Sequence, residues 1–192
     1  NRSVVSRLIS FPPVIFMTDA ERTPDPVTAI NRLPEGAGVI FRHYGVPNRK
    51  EIARTLVPVC RHRRITLLIA EDWRLAAEIN ADGVHLPEHI VPTWRGGGNK
   101  IGRNNFMVTA AAHSQRSLWN AARAGVDAVL VSPVFPTVSH PENRPLGITQ
   151  FSNMCRISPV PVYALGGITQ DKLTRLQNSG CVGVAGIGLF YP

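Results

Sequence analysis

Cysteines, aromatic residues and long apolar runs are all scarce in this sequence of 192 residues. The three cysteines, Cys60, Cys155 and Cys181, are far apart and form no CxxC pair, which argues against a disulfide framework or a zinc cluster. The longest apolar runs, such as residues 128–131, fall far short of the about 20 residues that cross a bilayer. No basic-then-apolar leader pattern opens the chain. These absences predict a cytoplasmic protein with no membrane segment.

Acidic residues are outnumbered, with 21 Lys+Arg against 13 Asp+Glu and a formal net charge of +8. Such an excess can serve nucleic-acid binding, because basic side chains neutralise phosphates. The basic residues are scattered, however, and the aromatic residues that stack on bases make up 7% of the chain. The one dense basic run, residues 61–64, follows a predicted helix and is interpreted as a solvated surface run. We therefore expect no nucleic-acid partner.

Hydrophobic residues make up 44% of the chain, which is enough for one domain with a substantial core. Eight short apolar runs, most of them without polar alternation, indicate parallel strands that are buried on both faces. Most runs are followed by a helix-like stretch, which predicts a single (β/α)₈ TIM barrel over residues 1–192. An open doubly wound sheet is less favoured because no GxGxxG follows the first strand. The predicted strands are 14–17, 38–41, 66–69, 83–86, 106–110, 128–131, 161–165 and 181–185, and the predicted helices are 26–33, 48–61, 72–79, 114–124, 147–157 and 169–179.

The barrel is expected to be compact, with its fourth and eighth helices reduced or missing. Residues 87–103 contain two prolines and three consecutive glycines, which disfavour a fourth helix. The sequence stops at Pro192, which leaves no room for an eighth helix. An uncovered barrel face would be apolar, so association into a homo-oligomer is a further expectation.

Histidines and glycines cluster after the predicted strands, where barrels of this kind carry their active sites. Gly166 and Gly167 follow the seventh strand, and Gly186 and Gly188 follow the eighth. Loops at these two places usually bind phosphate through backbone N–H groups. Histidine is the side chain best suited to proton transfer near neutral pH. Five of the six histidines lie at or just after strand ends, namely His43, His85, His89, His113 and His140.

The residues 85–89, with the sequence HLPEH, match the HxxEH pattern of a class of zinc proteases. That pattern requires both histidines on one face of a helix, and Pro87 would break such a helix. Chance is the better explanation of the match. A loop carrying these side chains could still supply ligands to a cation.

Four motifs occur in the order and spacing found in thiamine phosphate synthases. They are DGVHL at 82–86, SPVFPT at 132–137, PLG at 145–147 and PVYALGGI at 161–168. The similarity begins near Met17 and extends to residues 180–185, which are similar to the last strand of that family. The chain thus resembles a divergent member of the thiamine phosphate synthase family, which also includes the thiazole tautomerases. The resemblance implies a (β/α)₈ barrel, in agreement with the strand count.

The resemblance also implies an enzyme of thiamine biosynthesis that acts on small phosphorylated substrates. The synthase joins hydroxymethylpyrimidine diphosphate to a thiazole phosphate with the help of Mg²⁺ and releases pyrophosphate, whose charge must be neutralised as it leaves. Arg42 is implied to contact the pyrophosphate, and His113 to lie beside the thiazole, where it can move protons. The other implied substrate-binding positions are Thr137, Ser139 and His140 in the loop over the ligands, and Gly166, Gly167, Gly186 and Gly188 near the thiazole phosphate.

Several positions that matter in this family carry other residues here. A family lysine is Tyr44, one metal-binding aspartate is Ile90, and the other is the longer Glu71. The candidate Mg²⁺ ligands are therefore Glu71 and Glu88. Three hypotheses follow: a divergent synthase that uses these carboxylates, a metal-free thiazole tautomerase with His113 as acid and base, and a non-catalytic barrel that binds a phosphorylated ligand.

Overall fold

The computed structural model describes residues 10–95, 105–137 and 144–188, and it confirms the predicted barrel. Eight parallel strands follow one another in chain order, and β1 pairs with β8 to close the sheet. Every predicted strand is present, with ends that differ by at most two residues. The strands are β1 Val14–Met17, β2 Gly38–Phe41, β3 Thr66–Ala70, β4 Gly83–Leu86, β5 Met107–Ala112, β6 Ala128–Val131, β7 Val162–Leu165 and β8 Gly183–Gly186.

Helices follow most strands, and side-chain caps fix where several of them begin. Asp25 accepts hydrogen bonds from the first N–H groups of one helix, and Asp72 and Ser114 do the same for two others. The stretch predicted as a helix over 169–179 is a 3₁₀ helix from Gln170 to Leu176, where Thr169 makes no side-chain cap. The α-helices are α1 Pro26–Asn31, α2 Arg49–His62, α3 Trp73–Glu78, α4 Gln115–Arg123 and α5 Gly147–Ile157.

The segment between β4 and β5 is irregular wherever the structure describes it. Residues 87–95 contain a single 3₁₀ turn, Val91–Thr93, with Pro92 inside it. Residues 96–104, which include the three glycines, lie outside the described ranges. The expectation about an eighth helix falls on residues 189–192, which also lie outside them.

The strands bury both faces, so the protein has an inner and an outer apolar cluster. The inner cluster fills the barrel, and the outer one lies between the strands and the helices. Tyr163 is the largest inner side chain, and its hydroxyl donates to the backbone O of Pro12 at 2.8 Å. The alternation along each strand therefore decides which side chains reach the barrel axis. The inner cluster comprises Ile15, Met17, Ile40, Leu68, Ala70, Met107, Ala128, Leu130, Tyr163 and Ala185.

The basic run at the end of α2 ties neighbouring segments together. Arg63 is half-buried and donates to the backbone O of Leu33 at 2.6 Å, just past the end of α1. Arg61 donates in the same way to Asn80 O, just past α3. Their guanidinium groups thus donate to backbone carbonyls in the segments that follow α1 and α3. The interpretation of this run as merely solvated was therefore incomplete.

Among the described residues, no helix is long and apolar enough to cross a membrane.

Candidate active site at the carboxyl ends of the strands

Arg42 follows β2 and reaches the carboxyl-end mouth of the barrel. Ile40 belongs to the inner cluster, so alternation directs the side chain two residues later inward as well. The guanidinium of Arg42 lies near enough to His85 that its charge, after burial, helps to lower the pKa of that histidine. The backbone N–H of Arg42 donates to Thr18 Oγ1 at 2.9 Å, which joins the ends of β1 and β2. A fixed positive charge thus lies at the mouth.

His85 lies in β4 and is only 4% exposed. Its Nδ1 lies 2.9 Å from Thr109 Oγ1 of β5. Burial, assisted by the nearby charge of Arg42, lowers the pKa of His85 to about 3. The imidazole is therefore neutral at physiological pH, and it serves this site as a hydrogen-bonding group without adding charge.

His113 follows β5, and the backbone of Ser132 holds its ring. Its Nδ1 lies 2.9 Å from the backbone O of Ser132, which follows β6. A carbonyl oxygen can only accept, so Nδ1 carries the hydrogen in the neutral ring and Nε2 keeps its lone pair. His113 is exposed and lines a cleft of about 530 Å³ together with Glu88, His89, Ala111 and Asn120. This geometry suits a group that accepts a proton from a ligand in the cleft.

His43 has a structural role, which corrects its placement among the candidates for proton transfer. It is 2% exposed, and its ring stacks on Phe41 with centroids 4.8 Å apart. Its Nε2 lies 3.2 Å from Thr23 O, a carbonyl that can only accept, so Nε2 is the donor and Nδ1 accepts from Thr18 Oγ1 at 3.0 Å. His43 therefore ties the loop after β1 to the end of β2. Sequence position alone could not distinguish a histidine at the mouth from one packed beneath it.

Gly166 and Gly167 form a sharp turn after β7, with φ angles of +93° and +65°. A Cβ atom at Gly167 would lie 2.2 Å from the backbone O of Pro136, so this position requires glycine. Lys172, which sequence reasoning missed, donates from Nζ to Gly167 O at 3.0 Å. The turn is therefore packed by the loop after β6 and carries a positive charge beside it.

The remaining predicted phosphate and loop positions are only partly described. Gly186 pairs with Phe16 at the closing seam of the barrel, Gly188 is exposed, and Thr137 is half-buried. Ser139 and His140 lie outside the described residues. The substrate-binding roles of all these positions remain predictions.

The two candidate metal ligands have different surroundings. Glu71 follows β3, is exposed, and has a left-handed φ of +70°. Glu88 is half-buried, and its Oε2 accepts from the backbone N–H of His113 at 2.9 Å. Within the described ranges, no three His, Cys, Asp or Glu side chains are grouped closely enough to hold a metal. Magnesium often takes one or two carboxylates together with substrate phosphates, and Glu71 fits that role.

Arg49 is a second cation near the mouth that sequence reasoning missed. Its Nη2 donates to the backbone O of Ala70, the last residue of β3, at 2.6 Å. The guanidinium lies 5.8 Å from the ring centroids of both Phe41 and Tyr44. Among the described atoms, its buried Nε has no hydrogen-bond partner. The place of Arg49 at the start of a helix does not predict this contact, because the contact depends on how α2 packs against β3.

The buried histidines predict a specific dependence of stability on pH. The folded-state pKa values of His43 and His85 are both lowered, chiefly by burial, so the unfolded chain binds more protons. Stability is then complete above about pH 6.5 and falls as the pH drops toward the folded values, by up to about 1.4 kcal/mol per pH unit for each histidine. Urea unfolding between pH 7.5 and 5 measures this slope. A flat profile in the wild type would contradict the assignment.

The closed barrel and the polar groups at its carboxyl-end mouth define the class: a TIM-barrel protein with its site where barrel enzymes carry theirs. A family model described as thiamine monophosphate synthase matches residues 17–190. The chain is 37% identical over 140 residues to a protein of Aquifex aeolicus (strain VF5) named putative thiamine-phosphate synthase 2, covering 73% of this chain and 74% of that one. The chain therefore belongs to the thiamine monophosphate synthase family, as its motifs predicted.

A second relative agrees with this membership, and a solved structure agrees with the fold. A thiamine-phosphate synthase of Lactococcus lactis subsp. cremoris (strain MG1363) is 31% identical over 155 residues, which is 79% of this chain and 68% of the relative. The solved structure of thiamine phosphate pyrophosphorylase from Pyrococcus furiosus superposes with a TM-score of 0.76 at 23% identity. That alignment covers 91% of this chain and 84% of the other, and it supports the fold.

Proposed function

We propose that this protein is a transferase that joins hydroxymethylpyrimidine diphosphate to thiazole phosphate, forming thiamine phosphate and releasing pyrophosphate. The observation that carries the proposal is Arg42, a half-buried guanidinium at the barrel mouth that lies close enough to His85 to act on its pKa. Relatives that bear the name thiamine-phosphate synthase support the same reaction. The site needs no nucleophilic side chain, because the carbon–oxygen bond to the diphosphate breaks first and the thiazole nitrogen then captures the pyrimidinyl-methyl cation.

Arg42 would stabilise the negative charge that develops on the departing pyrophosphate. A guanidinium can donate two parallel hydrogen bonds to phosphate oxygens, and the bond from the Arg42 N–H to Thr18 Oγ1 fixes the backbone that carries it. His85, neutral and within 2.9 Å of Thr109 Oγ1, would add no positive charge that repels a cationic intermediate. The positive charge of Arg42 would thus lie next to the departing pyrophosphate.

Glu71 is the residue that would hold Mg²⁺, with substrate oxygens completing its surroundings. When bound, the ion supplies further neutralisation of the diphosphate charge. Glu71 is exposed at the end of β3, and its backbone N–H donates to His85 O at 2.7 Å, so the backbone of Glu71 is anchored next to β4. The turn at Gly166 and Gly167, with Lys172 beside it, would accept the thiazole phosphate.

Proton transfer by His113 supports a second candidate function, thiazole tautomerisation. The Nδ1–H group of this residue donates to Ser132 O at 2.9 Å, which leaves the lone pair of Nε2 available in an exposed ring. A base in that state can take a proton from one position of a thiazole ring and return it to another. This reaction needs no metal.

Two substitutions separate the candidates. For the transferase, Glu71→Ala should lower the rate of thiamine phosphate formation about tenfold at limiting Mg²⁺, because one carboxylate of the metal site is lost. For the tautomerase, His113→Ala should lower the rate about a hundredfold, because the base is lost. Each purified variant is assayed with both substrates and with thiazole phosphate alone.

The matched controls are Glu35→Ala, an exposed glutamate paired with Arg64, and His62→Ala, an exposed histidine at the end of α2. Both should retain wild-type rates. If the wild type forms no thiamine phosphate but tautomerises thiazole phosphate in a His113-dependent way, the first function is wrong and the second stands. Absence of both reactions would refute both.

A further inference from the structure

Glu88 makes a contact that joins the ends of two strands at the cleft. It lies two residues after β4, and its Oε2 accepts from the backbone N–H of His113, the first residue after β5, at 2.9 Å. The same N–H also approaches Ser117 Oγ at 3.0 Å. Ser117 Oγ is already shared, because it accepts from the Ser114 N–H and donates to Ser114 O. The carboxylate is therefore the stronger acceptor for the backbone of His113.

The position of the His113 backbone determines which ring nitrogen of His113 carries the hydrogen. With the N–H held by Glu88, the ring places Nδ1 2.9 Å from Ser132 O and 3.2 Å from Ser132 Oγ. A small displacement of the backbone would lengthen the bond to the carbonyl, whose geometry favours a hydrogen on Nδ1. The ring would then be free to carry its hydrogen on Nε2, which removes the acceptor from the cleft.

We propose that Glu88 is a positioning residue: its carboxylate, by accepting from the His113 N–H, holds His113 with Nδ1 protonated and Nε2 open to the cleft. This assigns Glu88 a role different from the magnesium ligand that the sequence suggested. The kinetic consequence rests on the proposed function, because it requires His113 or a ligand beside it to take part in turnover. The structural consequence, a fixed tautomer of His113, does not.

Two variants of Glu88 separate these roles. Glu88→Gln keeps an oxygen that can accept from the His113 N–H and removes the negative charge, whereas Glu88→Ala removes the acceptor altogether. A positioning residue should tolerate the first change and not the second. A magnesium ligand should be impaired by both, since a neutral amide is a poor substitute for a carboxylate at a cation.

Nitrogen NMR of protein labelled with ¹⁵N-histidine measures the tautomer directly, and His113→Gln identifies the His113 signals. We expect Nδ1–H in the wild type and in Glu88→Gln, and a shift toward Nε2–H in Glu88→Ala. Glu35→Ala is the control for loss of an exposed carboxylate, with no change expected. An Nε2–H tautomer in the wild type would overturn the proposal whether or not either variant folds, and so would an unchanged tautomer in Glu88→Ala.

The kinetic arm uses whichever of the two reactions the wild type performs. Glu88→Ala should lower kcat about tenfold with KM within about twofold, and Glu88→Gln should stay within about twofold in both. Equal loss in both variants, matched by weaker magnesium dependence, would replace the positioning role with a metal role. If neither reaction is detected, the tautomer measurement still decides this proposal, so its failure is distinguishable from failure of the proposed function.

Discussion

Replacing Gly83 by alanine should strongly destabilise the barrel. Gly83 begins β4 and pairs with Met107 of β5, where a Cβ atom would lie 1.9 Å from the backbone O of Met107 and 2.8 Å from Leu68 Cδ2. The clash with the carbonyl cannot be relieved by a rotamer change, because that oxygen belongs to a paired strand inside a close-packed barrel. We expect a loss of about 3 kcal/mol or more in the free energy of unfolding, a large fraction of the about 5–15 kcal/mol that stabilises a typical protein.

Urea unfolding monitored by circular dichroism measures this loss. Gly36→Ala is the matched control, because Gly36 also lies outside a helix but a Cβ there would meet no atom within 4 Å. The φ of Gly36 is +78°, so its replacement should cost about 1 kcal/mol of backbone strain alone. Equal stability of the two variants would show that the space between Gly83 of β4 and Met107 of β5 is wide enough for a methyl group, contrary to the structure.

Replacing Arg42 by methionine should lower kcat/KM for thiamine phosphate formation about a thousandfold. Methionine keeps much of the apolar stem but removes the charge and the hydrogen-bond donors that, under the proposed function, would face the departing pyrophosphate. The loss of that charge should also raise the pKa of His85, although burial, the larger cause of its low value, remains. Steady-state kinetics and histidine NMR titration test these two consequences separately.

Arg54→Met is the control for the Arg42 variant. Arg54 lies on the outer surface of α2 and pairs with Glu78, so its replacement should leave both the rate and the titration of His85 unchanged. If Arg42→Met keeps the wild-type rate while the pKa of His85 rises, the guanidinium lies beside His85 as described but takes no part in catalysis. No change in either quantity would show that Arg42 points away from the mouth.

The order of strands was predictable because a parallel barrel buries both faces of its strands, so each strand appears in the sequence as a short apolar run. The runs at Ala128–Val131 and Gly83–Leu86 match the observed strands residue for residue. Helix ends were predictable where a side chain caps them, as Ser114 does. The stretch after Thr169 has no such cap, and it forms a 3₁₀ helix instead of the predicted longer helix.

The candidate site was less predictable because its contacts join residues far apart in the chain. Arg42 could be placed at the mouth from its position after β2 alone. The bond between Glu88 and His113 spans 25 residues, and the contact of Arg49 with Ala70 spans 21. Such pairs depend on the register of neighbouring strands and on helix packing. The burial of His43, which removes it from the candidates for proton transfer, depends on the same packing.

The most direct test of the central claim is a ³¹P NMR time course of the wild-type protein with hydroxymethylpyrimidine diphosphate, thiazole phosphate and Mg²⁺. We expect the diphosphate signals to be replaced by pyrophosphate in step with a new phosphomonoester, thiamine phosphate, and the Arg42→Met protein to show about a thousandth of that rate. Absence of pyrophosphate and thiamine phosphate from the wild-type reaction would contradict the assignment of this barrel as a thiamine-phosphate-forming transferase, whereas equal rates in the wild type and Arg42→Met would contradict only the role of Arg42.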